Sequence, residues 1–213
     1  MKRIYDSAWP VSNPPPWLVS AFYLGGDTPH VWTTAEIYAQ PARYRLPIWV
    51  SYGADSQADG ISEASVALAK LHALKVPSGV AVVLDTETSV LPDYIRAFNH
   101  DVTVAGYDVI NYGSLDYVIQ NPDTSGGRWS AHWDNVATID DGYNIVATQF
   151  ADSVQLHTGY DASVIEDHVP LWDYRPTAPP PVTTWESVAL DEAKTARQHL
   201  DKVAGMLLTH QKG

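Results

Sequence analysis

Val80-Ala81-Val82-Val83-Leu84-Asp85-Thr86-Glu87 is the stretch that decides the fold. Five consecutive apolar residues follow the turn signal Pro77-Ser78-Gly79 and end in two acids. A run that short and that continuously apolar reads as a strand covered on both faces, the signature of parallel pairing. Upstream, residues 61–74 carry Ile61, Ala64, Leu68 and Leu71 at helical spacing, so a helix leads into this strand. Further helices are expected over 93–100 and 115–120. Working outward in both directions, similar runs recur at 3–6, 21–24, 47–51, 109–112, 129–133 and 145–150, with a weaker one at 160–163. Strands alternating with helices predict an α/β chain, and eight of them predict an irregular (β/α)8 TIM-type barrel. The irregularity is expected at the first crossover, where Asn13-Pro14-Pro15-Pro16 forbids a long helix, and at the short last crossovers.

The barrel is expected to occupy residues 1–174. A Pro-rich linker follows over 175–184, including Pro179-Pro180-Pro181, and a C-terminal helical tail over 185–213. Thr183 and Glu186 have capping-box spacing at its start. Ala189, Ala193, Ala196, Leu200, Val203 and Leu207 form a stripe that needs a partner surface. That partner is the barrel itself, a second copy, or another protein such as a virion component.

The chain has 213 residues, with 13 Lys and Arg against 25 Asp and Glu. From residue 185 onward the charges balance, so the whole −12 belongs to residues 1–184. Such a surface repels a phosphate backbone and an anionic bilayer, which argues against nucleic-acid partners. No apolar run approaches the roughly 20 residues needed to span a bilayer, so no membrane insertion is expected. The N-terminus enters a strand-like run without a secretory apolar segment, so no signal peptide is expected. Action on a cell wall would then follow lysis or occur within a phage particle; otherwise the protein is cytoplasmic. The absence of cysteine removes thiolate nucleophiles and thiolate metal sites.

Asp85 and Glu87 share one strand face while Thr86 takes the other, because strand side chains alternate. In a barrel the C-terminal strand ends form the rim where active sites are built. Two carboxylates there repel, so one stays protonated while the other is ionised, which is what acid/base chemistry at an acetal requires. The bland alternative is a helix-capping Asp beside a solvated Glu. Asp6 closes the first strand and Asp161 lies at the eighth, and these strands are neighbours in a closed barrel. Tyr112 ends the fifth strand, Trp129 and Trp133 alternate with His132 on the sixth, and Gln149 nearly ends the seventh. Tyr112 and Gln149 are candidate partners for sugar hydroxyls. Trp9, Trp129 and Trp133 are candidate stacking surfaces, the alternative for Trp129 and Trp133 being simple packing between barrel and helices. A metal site built from Asp85, Glu87 and His132 ranks below these readings, since the eight histidines show no ligand spacing. No metal and no cofactor are expected.

The order and spacing of Asp6, Asp85-Thr86-Glu87, Tyr112-Gly113-Ser114, Trp129-Ser130-Ala131-His132-Trp133, Thr148-Gln149-Phe150 and Asp161 resemble the family 25 glycoside hydrolases, which are lysozyme-type muramidases. Ala21-Phe22-Tyr23-Leu24-Gly25-Gly26 is similar to a related glycoside-hydrolase-like domain of actinobacteria and their phages. The resemblance spans residues 3–170. It implies an O-glycosyl hydrolase of a β-linked amino-sugar polymer such as peptidoglycan, with Glu87 as general acid and Asp85, Asp6 and Asp161 as supporting or base carboxylates. The Pro-rich first crossover and Gly25-Gly26 depart from the muramidase pattern. A non-catalytic glycan-binding or virion structural protein on the same barrel is the alternative function.

Overall fold

The computed structural model describes residues 1–53, 56–86 and 91–174. The described residues all fall within one compact unit, which ends at Arg175. The expected linker and tail helix over 175–213 lie outside the described residues, as does Glu87. The strands are β1 (Lys2–Asp6), β2 (Val19–Gly26), β3 (Tyr44–Val50), β4 (Ala81–Asp85), β5 (Asp108–Ser114), β6 (Gly127–Ala131), β7 (Ile145–Ala151), β8 (Asp161–Ile165) and β9 (Trp172–Asp173). The helices are α1 (Thr34–Ala39), α2 (Gln57–Ala73), α3 (Pro92–Val104), α4 (Leu115–Gln120) and α5 (Ser153–Leu156).

Each strand from β1 to β8 pairs with the next, and β1 pairs with β8, so the sheet closes. The pairs from β1–β2 through β6–β7 are parallel, whereas β8 runs antiparallel to both β7 and β1. Short β9 adds antiparallel pairing at the start of β3. The expected irregular (β/α)8 TIM-type barrel is therefore corrected: this is a closed eight-stranded barrel of mixed sheet, with five short helices among the described residues.

The reason lies in the crossovers. A parallel return needs a dozen or more residues, usually including a helix. Between β7 and β8 only residues 152–160 intervene, carrying the single turn of α5, so β8 comes back antiparallel. Between β6 and β7 the chain crosses as an extended strap over 132–144, from which Ala137 and Ile139 pack against Phe150, Ala162 and Val164.

Where the α/β alternation holds, the physics is that of the sequence. Ser56 and Asp59 cap α2 reciprocally, and Ala64, Ala67 and Leu71 bury its inner face, while Ile61 is left 45% exposed. Against α2 and α3 lie Val82 and Leu84 of β4; Ala81 and Val83 point into the barrel instead. That alternation delivers Asp85 to the barrel interior. Thr86, fully buried on the outer side, donates from its amide and its hydroxyl to the Tyr112 carbonyl at 3.1 and 3.0 Å, and so fixes the exit of β4.

The strap is clasped to the barrel by a polar chain. Ser130 donates to Asp140 Oδ2 at 2.6 Å, the Asp140 amide donates to Thr148 Oγ1 at 3.0 Å, and His132 Nδ1 meets Asp140 Oδ1 at 2.9 Å. The hydrogen bond to Asp140, and then its charge, raise the His132 pKa above the usual imidazole value. A raised imidazole pKa contributes stability that is complete below about pH 6.5 and is lost as pH rises through the folded-state value. His132→Gln is accordingly expected to lower the melting temperature at pH 5.5 to 6 and to converge on wild type under alkaline conditions. A difference that grows with pH would refute the clasp.

Candidate active site at the mouth of the barrel

Strands β1 to β7 run in one direction, so their C-terminal ends share one rim. Asp6 is the last residue of β1 and Asp85 the last of β4. Asp161 reaches the same rim by a different route from the one expected. It opens β8 rather than closing it, and antiparallel register sets it directly opposite Asp6. Asp85 stands opposite Tyr112, and Tyr112 opposite Trp129, so the side chains that face inward from adjacent strands converge.

Asp6, Asp85 and Asp161 line one small cavity together with Tyr23, Tyr112 and Trp129, over an apolar base of Ile48 and Val83. Its volume of about 30 Å³ admits a water molecule and no sugar ring. Asp6 and Asp85 are 7% and 6% exposed, so three carboxyl groups crowd a poorly solvated space. Burial raises the pKa of Asp161, opposed by the hydrogen bonds that it accepts from Ser153 and Gln149, with the nearby charge of Asp152 pushing the same way as burial. The Ser153 amide donates to Asp161 Oδ1 at 2.6 Å.

The other residues expected at the site divide. Gln149, 2% exposed, accepts from the Tyr112 hydroxyl and also bonds Asp161, so it orients two members of the cavity wall. Trp129 belongs to that wall, but at 1% exposure it offers no open face; it meets Tyr112 edge-on at 5.3 Å. Its Nε1 is buried and has no hydrogen-bond partner among the described residues. Trp133 is half exposed and lies outside the cavity lining, with its carbonyl accepting from Gln155 Nε2 at 3.3 Å. Trp9, on the loop after β1, is 58% exposed and stacks on His30. His132 turns to Asp140 on the strap, away from the carboxylates. Among the described residues no three His, Asp or Glu side chains are arranged to hold a metal ion. No helix there is long and apolar enough to cross a membrane.

Tyr23 escaped the sequence reading: Ala21 and Tyr23 share one strand face and Phe22 and Leu24 the other, and with all four apolar or aromatic the alternation does not say which face lines the barrel. His30 and Glu36 escaped as well. Their signal was Thr33-Thr34-Ala35-Glu36, the same capping-box spacing that stood out at Thr183.

No protein-family model and no curated protein sequence matches this chain. Solved structures do match in shape. An uncharacterized protein of B. stearothermophilus is 15% identical with a TM-score of 0.62, covering 79% of this chain and 98% of that one. The Tat-secreted protein Rv2525c of Mycobacterium tuberculosis, solved with HEPES, is 11% identical with a TM-score of 0.58, covering 80% and 98%. The modular autolysin LytC of Streptococcus pneumoniae, solved with a synthetic peptidoglycan ligand, is 14% identical with a TM-score of 0.58, covering 78% of this chain and 46% of that one. At these identities the likeness is one of fold alone, and it supports no more than a distant family-25-like fold.

Proposed function

We propose that the protein is an O-glycosyl hydrolase acting on a β-linked amino-sugar polymer of the peptidoglycan class. The observation that carries this reading is the convergence of Asp6, Asp85 and Asp161 on one poorly solvated cavity at the barrel mouth. Glycoside hydrolysis needs one carboxylic acid to protonate the departing oxygen, and one carboxylate to activate water or stabilise the oxocarbenium-like transition state. Glu87, two residues beyond Asp85, takes the acid role that the motif resemblance implies. Its proton goes to the glycosidic oxygen as the bond from that oxygen to the anomeric carbon breaks. Asp85, or Asp6 with Asp161, serves the anomeric carbon and takes up the proton of the incoming water. Tyr112 and Gln149 hold the carboxylates in place rather than the sugar, since both are buried in the wall. The cavity has room for a water molecule alone, so the sugar lies over the mouth.

That small volume also favours a second reading, in which the rim binds glycan without cleaving it. Release of reducing ends from fluorescent peptidoglycan or chitin oligosaccharides separates the two. Turnover above background supports the hydrolase. Binding without any release transfers the assignment to a glycan-binding protein.

A further inference from the structure

Trp9 sits three residues beyond Asp6, so their Cα atoms are at most about 11 Å apart. An exposed indole on a loop usually moves. This one is held at every level. Ser7 Oγ donates to the Gly159 carbonyl at 2.7 Å and accepts from the Trp9 amide at 3.3 Å. Buried Trp32 donates its indole N–H to the carbonyls of both Ser7 and Ala8 at 3.2 Å, and the Trp32 amide donates in turn to the carbonyl of the cavity residue Tyr23 at 3.1 Å. The segment bearing Trp9 is thereby tied to β2 and to the turn that precedes Asp161.

The ring is held as well. It lies flat on the His30 imidazole, with centroids 4.4 Å apart and planes 13° from parallel. His30 Nε2 is fixed by both Glu36 oxygens at 3.2 and 3.1 Å, and Glu36 is fixed by the Thr33 amide and hydroxyl at 2.7 and 2.9 Å. His30 covers one indole face, yet Trp9 keeps 58% of its surface exposed, so the opposite face is open to solvent. A chain of this kind, from capping box to imidazole to indole, leaves an apolar ring rigid and presented at the edge of an otherwise acidic rim.

We infer that Trp9 is a pyranose-stacking subsite of the glycan site, and that His30, held by Glu36, is its positioning residue. The inference rests on the glycan reading above and adds where a neighbouring sugar is gripped. The apolar C–H face of a β-linked pyranose, whose ring substituents lie equatorially, matches a flat indole. Because Trp9 lies close to Asp6, a ring stacked there and a ring over the carboxylates can belong to one oligosaccharide. His30 touches no sugar. It acts by removing the cost of immobilising the indole on binding.

The test is calorimetric binding of β-1,4-linked N-acetylglucosamine oligomers to the full chain and to Trp9→Ala, His30→Ala and His30→Phe, with acrylamide quenching of tryptophan fluorescence alongside. Trp9→Ala should weaken binding about tenfold. His30→Ala should weaken it about threefold and raise quenching, and His30→Phe should restore both, since a phenyl ring supplies the same face. A merely structural histidine would not be rescued this way. Unaltered affinity in Trp9→Ala, with wild type binding well, overturns the subsite and leaves the glycan reading intact. Equal losses in His30→Ala and His30→Phe overturn the positioning role. Wild type that binds no such oligomer overturns the subsite and the glycan reading together.

Discussion

Asp85→Asn is expected to lower turnover of an amino-sugar polymer by about 10²–10⁴-fold, the contribution typical of a positioned acid or base. The fold should survive. Asp85 ends β4 with its side chain in the cavity, while the strand is held by its pairing to β3 and β5 and by apolar neighbours on both faces. Asn matches the size of Asp and removes a charge from a poorly solvated space, so melting temperature should hold or rise slightly. Oligosaccharide affinity should stay within a few-fold of wild type, because the stacking surface at Trp9 is untouched. Glu87→Gln is expected to give a comparable loss if Glu87 is the acid. The two variants then differ in pH profile: loss of the acid removes the alkaline limb of the rate, and loss of the base the acidic limb. Turnover of Asp85→Asn at a wild-type rate would remove Asp85 from the chemistry, whatever became of Glu87.

The rim acids were legible because strand alternation is local. Asp6 shares a strand face with Ile4, and Asp85 with Ala81 and Val83, and their place at strand C-termini puts both on the rim. The direction of β8 was not legible. Asp161 sits on the same rim whether β8 ends there or begins there, so the correct neighbour was reached through the wrong topology. What decided the topology was the connection after β7, where Asp152 caps the single turn of α5 and His157 leaves it in the left-handed conformation. An eight-stranded barrel with one reversed member differs from an eight-fold parallel repeat by these few residues. The role of Trp129 was undecided in the sequence for a different reason. Alternation sets Trp129 on one face of β6 and leaves stacking and packing both open; only the width of the closed barrel shows that the indole is packed against Tyr112 and closed to a ligand.

One buried anchor of the barrel, Arg45, carries no functional signal in the sequence. Arg45, in β3 and 1% exposed, donates to four backbone carbonyls: Ile37 at 3.0 Å, Gln40 at 2.6 Å, Tyr44 at 3.2 Å, and Ala42. Two of these, Ile37 and Gln40, are carbonyls at the C-terminal end of α1, which a six-residue helix cannot satisfy by itself. Burial lowers the Arg45 pKa, partly offset by Tyr5 and Tyr174, yet a guanidinium remains charged across the working range. Arg45→Met keeps the stem and removes the donors, leaving several carbonyls buried without partners. Each such loss costs about 1–3 kcal/mol and the losses do not add fully, so a total of about 3 kcal/mol or more is expected. For a unit of this size that is a fall of about 6–12 °C in melting temperature. Arg45→Lys should fall between, since an ammonium has three donors and no planar fork. Arg45 lies near the start of β3, at the end of the strand remote from Val50 and its partner Asp85. Below the transition, oligosaccharide affinity and turnover should therefore match wild type. A melting point within about 2 °C of wild type would show that water or a shifted backbone replaces the guanidinium. A loss of affinity in a folded Arg45→Met variant would show instead that α1, which carries Glu36 and so holds His30 beneath Trp9, depends on this arginine for its position.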